Sequence, residues 1–317
     1  MSSTKTIAVV GATGATAGGL ARAILSDPEG GYACRAITRD PASAAARALS
    51  DQGATVVRAD LDDPDSLISA FDGAYGAFCM TNFFTSFSAE QEAQQAANQA
   101  RAAAVAAVSH AIWSTAEDTR TWYPLDDDKM PTLHGRYKVP NWDGKGEGDH
   151  FFAAAGVPTT YLLTPFHWEA FVFGLGAPQP GPDGVRTLAM PLGEARLPGI
   201  AAEDIGRCAY SIFQDPARFI GETVGIASEH TSGHQLAAGL SEVFGEAVRY
   251  QHVPAEVFRE LRFPGADLAA NMFQFVAEDN GYGRRRDVAL ARTLSPSLAG
   301  FSEWVAATRG RLPAAQV

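Results

Sequence analysis

The residues best suited to chemistry come early, where positions 9–19 read VVGATGATAGG between a short apolar run and an alanine-rich helical pattern. Gly11 permits a tight turn out of a strand. Gly14 leaves bare backbone at the start of the following helix, where free amides and the positive end of the helix dipole attract a phosphate. A dinucleotide-binding turn carries a third glycine where this chain has Ala17, which adds only a methyl and is admitted by the pattern. Gly18 and Gly19 keep the first helical turn slim. A purely structural glycine turn is the competing reading; the strand–turn–helix setting favours the nucleotide.

Later strand ends add partners for such a ligand. The second strand-like run ends in Thr38 and Arg39, where NAD-preferring sites place an acidic side chain for the ribose 2′-hydroxyl. A hydroxyl and a guanidinium suit a 2′-phosphate instead, so the expected cofactor is NADP(H). In the competing reading, Arg39 pairs with Asp40 or another surface carboxylate. The third strand ends in Asp60 and Leu61, a carboxylate and an apolar residue fit for the edge and face of adenine. Asp62 and Asp63, just before Pro64, read as helix caps. Met80, Thr81 and Asn82 close the fourth strand and would line the ribose and nicotinamide path.

These residues need a scaffold that brings strand ends together. Strand-like runs at 6–10, 35–38, 55–59, 76–80, 111–114 and 160–163 alternate with helical patterns at 17–26, 41–52, 64–71, 89–108 and 141–155. Such alternation implies βαβ units, hence a doubly wound parallel sheet of Rossmann type with helices on both faces. After Pro165 the rhythm changes: positions 174–184 (GLGAPQPGPDG) read as a long loop, then short strands and helices mix, with helices dominating from Pro254. The expected division is a nucleotide-binding domain over 1–165 and a smaller, mainly helical substrate lobe over 166–317, the chain crossing between the two more than once.

Composition narrows the function classes. With 25 Lys and Arg against 36 Asp and Glu, the chain carries a net charge of −11, a field that repels nucleic acid. The one dense basic run, Arg284-Arg285-Arg286, lies beside Asp287 and reads as a solvated turn. Cys34, Cys79 and Cys208 are far apart and form no CxxC pair; Cys34 and Cys79, in apolar strand-like runs, read as inert buried thiols. His230 and His234 flank a helix cap rather than a metal site, so no metal is expected. No apolar run approaches ~18 residues, and no basic-then-apolar leader opens the sequence, which points to a cytoplasmic protein without membrane contact.

Taken together, GATGATAGG, ITRDP, ADLDDPDSL, GAYGAFCMTNFF, the acidic EQE at 90–92, WDGKGEGDHFFAAAGVPTTYLL, RFPGADLAANMFQF and FSEWVAATRGRL resemble the NmrA-like family of atypical short-chain dehydrogenase/reductases in order and spacing. The match is nearest to its NADP(H)-sensing, redox-sensor branch. The resemblance implies cofactor contacts from Gly11, Thr13, Gly14, Ala15 and Thr16, from Arg39, Asp60 and Leu61, and from Met80, Thr81 and Asn82. It places Lys145 at the nicotinamide ribose and His167 and Trp168 in a further cofactor-lining segment. Here His167 stands for the family's usual aromatic, Ala170 for its Asn, and Gln94 for a lysine of the sensor protein.

Ordinary short-chain dehydrogenases use Tyr-x-x-x-Lys on one helix face, the lysine lowering the tyrosine pKa. Four residues before Lys145 stands Asn141, which donates no proton as an acid, and Tyr137 is eight residues away. The candidate acids are Lys145 itself and His167; a ribose-binding lysine and a packed histidine are the plainer alternatives. The substrate pocket is expected to draw on Phe83, Phe84, Phe87, Trp113, Trp122, Tyr123, Phe166 and Trp168, about half of them lining it, with His134 at its border. Two functions remain open. One is an NADPH-dependent reductase of a small apolar or aromatic carbonyl or enone. The other is an NADP(H)-sensing regulator acting through a protein partner. The expected partner is accordingly a small-molecule substrate or a regulatory protein, with a homodimer as a further option.

Overall fold

The structure, a computed structural model, describes residues 4–173, 177–181, 183–261, 263–278 and 280–309; positions 174–176 and 182 of the expected long loop lie outside them. In chain order the elements are β1 (Lys5–Val10), α1 (Ala15–Leu25), β2 (Tyr32–Thr38), α2 (Ala44–Asp51), β3 (Thr55–Arg58), α3 (Pro64–Phe71), β4 (Gly76–Cys79), α4 (Ala89–Val105), β5 (His110–Thr115), α5 (Pro140–Ala154), β6 (Thr159–Leu163) and β7 (Phe166–His167). There follow α6 (Ala170–Phe173), β8 (Gln179–Pro180), β9 (Arg186–Met190), β10 (Arg196–Ile200), α7 (Ala202–Gln214), α8 (Pro216–Phe219), β11 (Thr223–Gly225), β12 (Glu229–Ser232), α9 (Gly233–Phe244), β13 (Val248–His252), α10 (Ala255–Arg259), α11 (Ala266–Ala277), α12 (Val288–Leu294) and α13 (Phe301–Thr308).

Two compact units share the chain. The first comprises residues 1–118, 140–164 and 202–225; the second 119–139, 165–201 and 226–317. The sequence division at 165/166 differs from this in two places. Residues 119–139 join the second unit, and α7 through β11 return to the first. The physical reason is coverage, because β11 adds a seventh strand beside β6 and α7 packs on α1.

The first unit is a parallel sheet in the order β11-β6-β5-β4-β1-β2-β3, the order reversing on either side of β1. Strands buried on both faces read as apolar runs, and Ile7 to Val10 and Ala77 to Cys79 are buried accordingly. One core joins Ala8 and Val10 of β1 to Phe71 of α3, Ala96, Ala100 and Ala103 of α4, and the stacked Trp113–Phe152 pair. Caps set the helix starts: Ser43 accepts from the Ala46 amide, Asp63 from those of Asp65 and Ser66, and Ser88 from that of Gln91.

Close packing explains the glycines of the first turn. A Cβ on Gly19 would sit 2.2 Å from the Glu203 carbonyl oxygen, and one on Gly206 would sit 2.1 Å from the Leu20 nitrogen. Helices α1 and α7 therefore cross backbone to backbone. Helix α5 also packs closely through glycines. A Cβ on Gly144 would lie 3.1 Å from the Ala89 carbonyl, one on Gly146 2.8 Å from the Asp118 amide, and one on Gly148 2.5 Å from the Trp113 ring. Contact on these faces compensates for the poor helix propensity of glycine.

The second unit holds two three-stranded sheets, β12-β10-β7 and β13-β9-β8, with helices α9 to α13. Helix α9 carries a capping box between Ser232 and Gln235 and ends on a left-handed Gly245. Arg286 departs from the solvated-turn reading of the triple arginine: it is buried with its guanidinium 3.6 Å from the Tyr282 ring centroid. Among the described residues no helix is long and apolar enough to cross a membrane. The three cysteines are free and buried, and burial pushes the Cys34 and Cys208 thiols up to about 12.

The α1–α7 crossing leads to a direct prediction. Gly206→Ala introduces a methyl that overlaps backbone, so denaturant unfolding should show a loss on the order of 1–3 kcal/mol, an overpacking cost. Unchanged stability would mean that the two helices separate freely.

Candidate functional site

The cleft forms at the carboxyl ends of β1 to β4, where the strand order reverses and an open α/β sheet receives a ligand. Gly11 turns out of β1 with φ +70°, a conformation that side chains resist, and the Gly14 amide closes the turn on the Gly11 carbonyl at 2.8 Å. Gly14 is the extended N-cap of α1, and no side chain caps that terminus. The first-turn amides therefore remain for an anion. Ala15 is exposed in that turn, whereas Thr16 is buried. About 410 Å³ of space lies against Gly11, Thr13, Gly14, Thr38, Arg39, Asp60, Leu61, Met80, Thr81 and Asn82, so the structure brings these predicted residues together.

At one end of the cleft the turn after β2 carries Arg39 between Thr38 and Asp40. The Thr38 hydroxyl accepts from the Asp40 amide at 3.2 Å, and the Asp40 carboxylate accepts from the Ala42 amide at 2.9 Å. Arg39 is exposed and makes no ion pair among the described residues, with Asp40 or any other carboxylate. Asp60 accepts from the Asp62 amide, and Asp63 caps α3 as expected of it. Asp62 does something else. Its two oxygens accept from Gln91 at 3.0 Å and Gln95 at 2.9 Å, while Asn98 donates to the Leu61 carbonyl at 2.8 Å. Gln91, Gln95 and Asn98 fall at i, i+4 and i+7 on one face of α4 and tie down the loop after β3. That spacing was a usable signal, though nothing in the sequence named its partner.

The opposite end is built by α4 and α5. Lys145 Nζ donates to the Thr81 carbonyl at 3.1 Å and to the Thr81 hydroxyl at 2.8 Å, and pairs with Glu92 Oε1 at 3.2 Å. The Thr81 hydroxyl donates to the same Glu92 oxygen at 2.6 Å. Glu92 is thus a site residue that the sequence reading left without a role. Asn141, at the tyrosine position of Tyr-x-x-x-Lys, is buried with its Oδ1 unpartnered. Gln94 donates to Asn98, and the Met80 amide donates to Gln99 at 3.1 Å. Trp113 corrects an expectation: it is fully buried, stacks on Phe152 and donates to the Lys145 carbonyl at 3.3 Å, so it supports α5 rather than lining a pocket. Phe83 is buried too, while Phe84 and Phe87, 47% and 48% exposed, stand edge-on to it and to each other.

The remaining candidates belong to the second unit. His167 is half-buried on β7, in register with Ile200 of β10. Trp168 is fully buried against Phe301 and Trp304, beside Gly199, where a Cβ would meet its ring. Its ring is part of the core of its unit rather than a free pocket wall. Phe166 is likewise packed between Phe171 and Phe273. Trp122, 39% exposed, has Arg285 over its ring, and Tyr123 is buried on Glu278. His134 sits exposed at φ +49°, followed by Gly135 at +74°, at the tip of the turn joining Leu133 to Tyr137. His230 Nε2 lies 3.0 Å from the Arg286 carbonyl, and His234 stands edge-on to Tyr250.

The sheet order, the glycine turn and the cleft define a Rossmann-type α/β protein. The chain belongs to the NmrA-like family, whose family model matches residues 3–305. The NmrA-like family domain-containing oxidoreductase FrzB of Cladobotryum sp. is 30% identical over 292 residues, covering 87% of this chain and 84% of that protein. Two solved structures share the fold. NmrA, a negative transcriptional regulator in complex with NADP, superposes with a TM-score of 0.73 at 23% identity over 98% of this chain and 95% of its own. The NADPH-dependent quinone oxidoreductase QOR2 of Escherichia coli, complexed with NADPH, gives 0.70 at 22% identity over 95% and 99%.

One turn along α5 from Lys145 lies a partly buried carboxyl. Burial raises Asp149 to about 7 from an ordinary 3.8; bonds from Thr115, at 2.6 Å, and Trp113 offset part of this, and Glu117 and Asp118 add to it. A raised carboxyl pKa favours the folded state at low pH, and that contribution is lost as pH rises from about 4 through about 7. Asp149→Asn should therefore flatten the pH dependence of Tm, melting on the order of 2–4 °C above wild type near pH 8 and with it near pH 4. Parallel melting curves across that range would contradict the assignment.

Proposed function

We propose that this chain is an NADP(H)-dependent oxidoreductase acting on a small apolar or aromatic carbonyl or enone-type substrate. The observation that carries the reading is the uncommitted Arg39 guanidinium beside Thr38 at the cleft rim, with Lys145 anchored at the far end. The residues present fit the cofactor. The uncapped α1 terminus suits a pyrophosphate, Arg39 and Thr38 a 2′-phosphate, and Asp60 and Leu61 the adenine. Family membership and the named activities of FrzB and QOR2 support the same reaction class.

Bound NADPH supplies a hydride. The chain's own part is to hold and orient. Lys145 presents a charged donor for the nicotinamide ribose, its Nζ fixed by three acceptors at 2.8–3.2 Å. Asn141 gives no proton, so the proposed donor is Lys145 itself, whose Nζ stands at Thr81 on the cleft wall. Phe84 and Phe87 offer an apolar surface on the loop that follows β4. Asn141 also favours a second reading, an NADP(H)-sensing regulator that binds a protein partner without turnover. A panel of quinones, enones and aldehydes separates the two, since NADPH oxidation on any acceptor selects the enzyme.

Two variants test the reading. NADPH should bind roughly ten- to a hundredfold more tightly than NADH, and Arg39→Ala should erase most of that gap by removing a guanidinium–phosphate contact. Equal affinity of wild type for both cofactors, measured by calorimetry, would reject it. With an acceptor found, Lys145→Met at saturating NADPH should slow hydride transfer by ~100-fold or more, the usual cost of a lost proton donor. Full activity in that variant would assign the proton to solvent.

A further inference from the structure

The least expected feature of the cleft is the carboxylate behind its lysine. Glu92 lies in the first turn of α4, only 2% exposed, where the helix dipole favours a negative charge. One oxygen takes both the Thr81 hydroxyl and Lys145 Nζ, while Oε2 is buried with no hydrogen-bond partner. A buried ion pair is weak evidence of a stability role, since its desolvation cost rivals its attraction, and a half-satisfied one is costlier still.

The backbone is shaped to make the pair. Gly144 lets α5 come against the Ala89 carbonyl in the same first turn of α4, and Gly146 lets it come against the Asp118 amide. Lys145, between them, is 18% exposed and reaches Thr81, which lines the cleft. An ammonium has three N–H donors, and all three have acceptors here: two on Thr81 and one on Glu92.

We propose that Glu92 is the positioning residue of the cleft: its charge, rather than its bulk, holds the Lys145 ammonium at Thr81, so that a ribose hydroxyl is received by exchange with a Thr81 oxygen while the ion pair stays fixed. This inference rests on the NADP(H) reading for its ligand but not for the latch itself, which exists in the cofactor-free protein.

The test has two arms. In the first, the cofactor-free protein is reductively methylated with formaldehyde and borohydride, and modification of Lys145 is followed by peptide mass spectrometry. Glu92→Gln should expose Lys145 and raise its modification rate several-fold, and Glu92→Asp, which keeps the charge, should restore part of the protection. A packing role predicts the reverse order, because Gln fills the space of Glu and Asp does not. Unchanged modification in Glu92→Gln, or the packing order, overturns the proposal whatever the protein binds. In the second arm, NADPH affinity is measured for wild type, Glu92→Gln, Lys145→Met and the double variant. Glu92→Gln should weaken binding roughly tenfold, and add nothing in the Lys145→Met background. Independent, multiplying losses contradict positioning through Lys145. Absence of NADPH binding by wild type defeats the cofactor reading instead, and leaves the first arm to decide on Glu92.

Discussion

Helix α1 lies closer to its surroundings than side chains allow, and the rest of the first unit depends on that closeness. Its start is bare at Gly14, where a phosphate can meet backbone, and its flank is bare at Gly19, where the Glu203 backbone takes the place of a side chain. The glycines that look like one nucleotide motif therefore do two jobs. Gly11 and Gly14 shape the ligand turn, and Gly19 receives α7 through Gly206. That contact draws residues 202–225 back into the first unit and supplies the seventh strand.

Helix α4 then sets both ends of the cleft. Gln91, Gln95 and Asn98 hold the loop after β3 by Asp62 and the Leu61 carbonyl, Gln99 holds the Met80 amide, and Glu92 holds Lys145. Its alanine face is what permits this, because short side chains let α4 lie close to α5 and to the sheet. A polar stripe and an alanine stripe on one helix divide its work between site and core.

Strand ends were legible because the residues there are chemically specific: Gly11 and Gly14, Thr38 and Arg39, Asp60 and Leu61, Met80 to Asn82 all reach one cleft. The six strands and five helices read from the first 165 residues correspond to β1–β6 and α1–α5 with shifts of a few residues at their ends. What stayed hidden depends on contacts between distant segments. Glu92 and Lys145 are 53 positions apart by their numbers, and only the α4–α5 approach at Gly144 makes them a pair. Trp113 and Trp168 carry the residue type of a pocket lining, yet aromatic character does not say which way a ring faces, and both are core. Strand β11, three residues long, is too short for periodicity to announce it.

Hydrogen exchange with and without NADPH tests the central claim most directly, since ordering by ligand shows up as protected amides. The account predicts protection at 11–18, 38–41, 59–63 and 80–86, the segments that contain the cleft residues and the α1 terminus. Saturating NADPH that leaves these amides unprotected, or that protects a different set, would contradict it.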